Sequence, residues 1–172
     1  YLCNEILLSL SVDVPRFCSM KKLFSLLFVL SVLVTGAQNA TPLDSSIWKC
    51  NYPCSLNQAK EEGKPLLMVF SGSDWCKPCI MLREQILVKP EFCDWAKTNV
   101  VCVSLDFPSQ KKNRLPQYLQ QQNDSLAEKF NPNGIFPLVV IIDGSEKILG
   151  TAGYKDVSPI EFISDLEKIV KQ

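Results

Sequence analysis

Two cysteines separated by two residues lie within Trp75-Cys76-Lys77-Pro78-Cys79, a spacing suited to thiol–disulfide exchange. The thiolate is the attacking species, and the positive dipole end of a helix, with its unsatisfied N–H groups, favours a thiolate there. Two intervening residues keep the second sulfur close enough to attack a mixed disulfide formed by the first. Cys76, at the outer end, is the expected nucleophile, and Cys79, one turn inside, the expected resolving thiol. Lys77 adds a positive charge beside them. Pro78 lacks an N–H and is tolerated only in the first turn of a helix. A structural disulfide or half of a metal site are the other uses of such a pair. The chain has no histidine, which removes His-assisted Cys, Ser or Zn catalysis and leaves Cys as the reactive side chain.

A pair of this kind has to be delivered by a strand and carried by a helix, and the flanks read that way. Residues 65–70 form a continuous apolar run, the pattern of a strand buried on both faces. Ser71-Gly72-Ser73-Asp74 is a polar turn, and apolar residues recur at helical spacing over residues 80–87. Around this core, residues 55–62 read as a short helix with Ser55 as N-cap and Gly63 as stop. Residues 91–97 read as another, presenting Phe92 and Trp95 to the core, and residues 100–105 as a second strand, parallel to the first if the intervening helix is a crossover. A loop over 107–114 precedes a helix at Gln117–Phe130 and turn chemistry at Asn131-Pro132-Asn133-Gly134. Leu138–Ile142 is a third strand, Asp143-Gly144-Ser145 a hairpin signal, and 147–150 a fourth strand. The last helix, Pro159–Val170, places Ile160, Ile163, Leu166 and Ile169/Val170 on one face. This order predicts an α/β class with a mixed central sheet of four to five strands flanked by helices.

The pentapeptide resembles the active-site motif of the thioredoxin superfamily, where Gly more often stands at the position of Lys77. Trp48, Gly63-Lys64-Pro65, Leu105-Asp106-Phe107-Pro108, Ile135-Phe136-Pro137 and Gly153-Tyr154 extend the similarity to exported bacterial thioredoxin-like thiol–disulfide proteins, over most of the chain after about Ser45. The resemblance implies the thioredoxin fold. It also implies a cis peptide at Pro137, packed against the two sulfurs, with the preceding backbone pairing with an extended substrate chain by strand addition. Phe136 departs from the smaller or polar residue common before this proline, which implies a more apolar or partly blocked groove. Trp75 shields one side of the site and offers a contact to a partner; a plain core aromatic is its other reading. Asp74 is expected to satisfy backbone N–H groups in its own turn. Thioredoxins place a buried carboxylate on the strand ahead of the motif, but Leu67-Met68-Val69-Phe70 holds no acid. Base assistance for Cys79 would then come from water, Lys77 or Glu84.

The remaining cysteines leave alternatives open. Cys50 and Cys54 fit a second disulfide pinning the N-terminal segment, a second redox pair serving Cys76/Cys79, or, with those two, a Cys₄ zinc site. Cys93 and Cys102 read as buried free thiols. Met20-Lys21-Lys22, the apolar run 23–34 and Thr35-Gly36-Ala37 have the three-part grammar of a secretory signal peptide. Residues 1–19 then read as upstream translated sequence, 20–37 as the signal and 38–172 as one thioredoxin-like domain. The last holds 15 Lys+Arg and 16 Asp+Glu, too balanced to give nucleic-acid binding an electrostatic footing.

The resulting expectation is an exported, periplasmic-type thiol–disulfide oxidoreductase without cofactor, metal or stable membrane anchor after signal cleavage. It would act on protein disulfides, with reduction as the expected direction, and would depend on a redox partner that reloads Cys76/Cys79. A non-catalytic thioredoxin-like binding module and a Cys-based metal-binding domain are the alternatives.

Overall fold

The computed structural model describes residues 43–171, so the expected signal segment and the residues ahead of it lie outside the described part. Strand β1 (Trp48–Lys49) leads into helix α1 (Tyr52–Glu62), which Gly63 closes in the left-handed region at φ 63°. Strand β2 (Leu66–Ser71) follows, with five consecutive buried residues, and delivers the chain to helix α2 (Lys77–Leu82). A π turn (Arg83–Leu87) prolongs α2, so the helix expected over 80–87 changes its winding one turn after Cys79. Helix α3 (Pro90–Asn99) and strand β3 (Val101–Asp106) complete a crossover. Helix α4 (Gln117–Phe130), strands β4 (Leu138–Ile142) and β5 (Ile148–Ala152), and helix α5 (Pro159–Val170) finish the chain.

The sheet has the order β1-β3-β2-β4-β5. β1 and β2 lie parallel to β3, whereas β4 runs antiparallel to β2 and β5 antiparallel to β4. Strand alternation divides the core between two faces. Leu67, Val69, Cys102, Val139 and Ile141 meet Leu82, Ile86, Phe92, Phe162 and Leu166 on the face covered by α2, α3 and α5. Leu66, Met68, Phe70, Val103 and Ile142 meet Leu56, Ala59, Leu126 and Phe130 of α1 and α4 on the other. This is the α/β thioredoxin fold, with five strands. The fifth is β1, too short for any periodic signal and visible only through its pairing with Cys102 and Val103.

Two local expectations are corrected. Helix α1 starts three residues earlier than Ser55, because the Asn51 side chain accepts from the Cys54 backbone N–H at 3.0 Å and caps the helix there. On α5 the core face is Phe162 and Leu166, flanked by Ile163, Ile169 and Val170, while Ile160 is 69% exposed. Ser158 caps that helix through the Glu161 N–H, which turns Ile160 in the first turn away from the sheet. Among the described residues no helix is long and apolar enough to cross a membrane.

Candidate active site

Strand β2 ends at Ser71, and the turn that follows, closed by the Cys76 N–H donating to the Gly72 carbonyl at 3.0 Å, places Cys76 at the helix entrance. Cys76 is itself the N-cap of α2, with extended backbone (φ −89°, ψ 98°), and its Sγ accepts from the Cys79 N–H at 3.3 Å. Pro78 sits in the first turn, where no intrahelical donor is needed. Cys76 and Cys79 are joined as a disulfide, with Cα atoms 5.2 Å apart. The residues are 5% and 3% exposed, so accessibility barely separates them. Position does: Cys76 holds the cap and Cys79 the third helical position, and Lys77 projects into solvent.

An aromatic cluster adjoins Cys76 through Trp75, the residue before it. Trp75 is 50% exposed, which excludes the core-aromatic reading, and its ring meets Phe136 edge-on at 5.5 Å between centroids. Phe136 in turn meets Phe107 at 5.3 Å, and the Trp75 Nε1–H donates to the Phe107 carbonyl at 2.8 Å. The indole lies flat over Gly72, whose missing side chain leaves the room: a Cβ there would stand 2.5 Å from Trp75 Nε1. The Phe136–Pro137 peptide is cis. The buried Asn131 side chain holds the preceding loop, donating to the Ile135 carbonyl and accepting from its N–H, both at 2.9 Å. Ile135 is left exposed beside Trp75's partner ring.

Two carboxylates brace the turn that carries Trp75 and Cys76. Asp106, at the end of β3, accepts from the Ser73 N–H at 2.9 Å, its hydroxyl at 2.6 Å and the Phe107 N–H at 3.0 Å. Asp74 accepts from the Ser109 and Gln110 N–H groups and the Asn113 side chain, each at 2.9 Å, and from the Ser109 hydroxyl at 3.2 Å. Burial works to raise the Asp74 pKa, but these bonds outweigh it and hold the carboxyl below its usual value. Asp74 therefore does satisfy backbone N–H groups, but those of a loop 35 residues away rather than those of its own turn.

The absence of an acid ahead of the motif is real in three dimensions. Val69 occupies the sheet face under α2, and Glu84 and Lys77 are both exposed. After α2, Arg83 has Nε and Nη2 that are solvent-excluded and, among the described residues, without a hydrogen-bond partner. Neither Arg83 nor Gly72, Asp106, Phe107 and Asn131 had been singled out as a site residue from the sequence. Asp106 and Phe107 meet the motif from more than 30 residues away, and only the unusual placement of a charge in an apolar helix pattern could have flagged Arg83.

Cys54 carries a free, exposed thiol, so the Cys50–Cys54 disulfide, one of the three uses left open for that pair, is not formed. Cys50 is itself disulfide-bonded, so its sulfur is not available to Cys54. In Asn51-Tyr52-Pro53-Cys54 the cap is Asn51, so Cys50 lies one residue outside the helix, whereas Cys76 occupies the cap itself. Among the described residues no group of three or more His, Cys, Asp or Glu could hold a metal ion. Cys102 is buried on β3 and Cys93 half-buried on α3; burial pushes both thiols up, away from reactive thiolate.

Comparison with known proteins agrees with this geometry. A family model described as thioredoxin-like matches residues 47–144. The chain is 33% identical over 121 residues to the disulfide bond reductase DsbH of Chlamydia pneumoniae, covering 70% of this chain and 71% of that protein. It is 33% identical over 133 residues to the thioredoxin-related protein DsbJ of the same organism, covering 76% of this chain but 37% of the longer relative. A solved DsbH oxidoreductase superimposes with a TM-score of 0.68 at 31% identity, over 77% of this chain and 87% of that one. A thioredoxin from Thermus thermophilus, at 18% identity and a TM-score of 0.54, over 71% of this chain and 85% of that one, shares the fold.

Proposed function

Because this chain belongs to the thioredoxin-like family and is a protein-disulfide oxidoreductase, we propose that it works as an exported reductase, with Cys76 attacking and Cys79 resolving. The observation that carries the division of roles is the cap. The Cys76 sulfur already accepts an N–H from the first turn of α2, so a thiolate at that atom receives both the hydrogen bond and the helix dipole. In the reductive direction, the Cys76 thiolate attacks one sulfur of a substrate disulfide and the other sulfur leaves as thiolate. Cys79 then attacks Cys76 Sγ, the Cys76–Cys79 bond forms, and the second substrate sulfur departs. Two electrons pass from the dithiol to the substrate, and a partner dithiol must return them.

Trp75, Phe107 and Phe136 offer an apolar contact surface beside the sulfurs, with Ile135 at its rim, which suits an unfolded or extended substrate segment with apolar side chains. Reduction as the direction is supported by the relative named a disulfide bond reductase. Export is supported by the basic, apolar and small-residue order of segment 20–37, which would leave residues 38–172 as the mature, periplasmic-type domain.

The test is a trap. Cys79→Ser protein expressed with a cleavable tag should accumulate mixed disulfides on Cys76, released by dithiothreitol, while Cys76→Ser accumulates none. Wild-type protein should reduce a model protein disulfide in the presence of a dithiol donor. Capture by neither variant, together with no reduction, removes the assignment of roles.

A further inference from the structure

The Arg83 guanidinium is half-buried, and two of its nitrogens are shut from water and, among the described residues, have no hydrogen-bond partner. A charged group held this way is costly unless something compensates it. Its place is informative. The Arg83 N–H donates to the Cys79 carbonyl, so Arg83 stands one helical turn below Cys79 on the same side of the helix. Helical side chains lean toward the N-terminus, so the Arg83 stem runs back over the Cys79 turn. The charged groups that draw it are both carboxylates, Glu84 from its own turn and Asp106 from β3. Asp106 is already occupied by Ser73 and Phe107, and Glu84 faces solvent. Helices α3 and α5 also pack on the π turn, and among the described residues neither sends a hydrogen bond or ion pair to Arg83. Desolvation by burial lowers the Arg83 pKa, the sign of a cation short of partners in the oxidised state.

We propose that Arg83 is a positioning residue for the resolving step: its guanidinium, held one turn beneath Cys79, stabilises the Cys79 thiolate in the reduced protein and in the mixed disulfide. The strand ahead of the motif offers no carboxylate to accept the Cys79 proton, so the protein uses a fixed cation to make that proton leave more readily to water. This rests on Cys79 as the resolving thiol. In that step the Cys79 thiolate attacks Cys76 Sγ, the Cys76–Cys79 bond forms, the bond from Cys76 to the substrate sulfur breaks, and the substrate thiolate is protonated by solvent. Arg83 keeps its proton throughout. Removing the cation raises the Cys79 pKa by about one unit, which leaves roughly tenfold less thiolate below that pKa. A more basic thiolate is about threefold more nucleophilic per pKa unit, so the net slowing of resolution is about three- to fourfold.

The experiment has two arms. In a Cys76→Ser background, the pH profile of Cys79 alkylation by iodoacetamide is followed by peptide mass mapping, which separates it from Cys54, Cys93 and Cys102. Arg83→Met and Arg83→Gln should both shift the profile upward, and Arg83→Lys should retain most of the wild-type position. In proteins with both active-site cysteines, release of the second substrate thiol should slow by the stated factor, with no change in the first attack by Cys76. An unmoved profile in Arg83→Gln, with near-ultraviolet circular dichroism unchanged, overturns the proposal, as does an equal shift in Arg83→Lys. Should Arg83→Met fail to fold, the Gln and Lys pair decides alone. The alkylation arm reads the coupling to Cys79 whether or not any protein disulfide is reduced, so its outcome is distinct from that of the trapping test.

Discussion

Replacing Gly72 with alanine tests the aromatic cluster directly. A methyl at this position would stand 2.5 Å from Nε1 and 2.6 Å from Cζ2 of Trp75, inside any tolerable contact, so the indole must leave its seat. Two interactions go with it. The 2.8 Å bond from Nε1 to the Phe107 carbonyl contributes about 0.5–1.5 kcal/mol. The edge-on packing of Trp75 against Phe136 at 5.5 Å contributes about 0.5–1.5 kcal/mol more. Trp75 is half exposed, so water reaches the freed carbonyl and the lower half of each range applies, giving a loss of about 1–2 kcal/mol. For a domain of this size that corresponds to a fall in Tm of about 4–8 °C. The Cys76–Cys79 geometry is set by α2 and is untouched, so reaction with a small aromatic disulfide should keep its wild-type rate. Reduction of a protein disulfide should fall several-fold, because the contact surface for the substrate chain is broken. Differential scanning calorimetry and paired assays on the two substrates check this. Unchanged Tm, or equal losses on both substrates, would refute the reasoning that Gly72 exists to seat Trp75 and that Trp75 serves the protein substrate.

Other outcomes follow from the same contacts. The Asp74 pKa is lower folded than unfolded, so its bonds to Ser109, Gln110 and Asn113 add stability above the usual 3.8 and lose it as pH falls through the folded value. Asp74→Asn should therefore be less stable near neutrality and show a flatter stability profile below about pH 4, measured by denaturant titration across that range. Tyr52 donates its hydroxyl to Glu146, which also pairs with Lys129 at 2.7 Å, tying α1 and α4 to the β4–β5 turn. Tyr52→Phe should cost about 1–2 kcal/mol, seen as a lower urea midpoint with unchanged slope. Asn51→Ala removes the cap of α1 and should cost about 1 kcal/mol in the same assay, leaving reduction by Cys76/Cys79 intact.

Much of the site could be read in one dimension because its parts are local. The motif at residues 75–79 names a helix entrance by its own chemistry: a cap residue, a first-turn proline and a second thiol one turn in. The apolar run of β2 and the paired strands β4 and β5 announce themselves by length and by the intervening turn. Even the departure from the family, Val69 and its neighbours in place of an acid, is legible from composition alone. The misreadings are instructive for the opposite reason. The sequence points to Ser55 as the cap of α1, whereas the Asn51 side chain reaches the Cys54 N–H and starts the helix earlier. Cys50 then lies just outside the helix and is disulfide-bonded, and Cys54 within it stays free.

What the sequence determined by itself was the reactive pair, the α/β order and the lack of histidine, since each depends on residues within a few positions of one another or on composition. What the tertiary structure decided was the environment of the sulfurs. Trp75 finds Phe107 32 residues away, and Asp74 finds Ser109 across 35. Arg83 stands one turn after Cys79 because the helix that begins at Cys76 winds it there, and among the described residues packing leaves two of its nitrogens buried and unpartnered. Local hydrogen bonds and dipoles are written in neighbouring residues; burial, and the choice of which charge is left unpaired, depends on every element packed around the site.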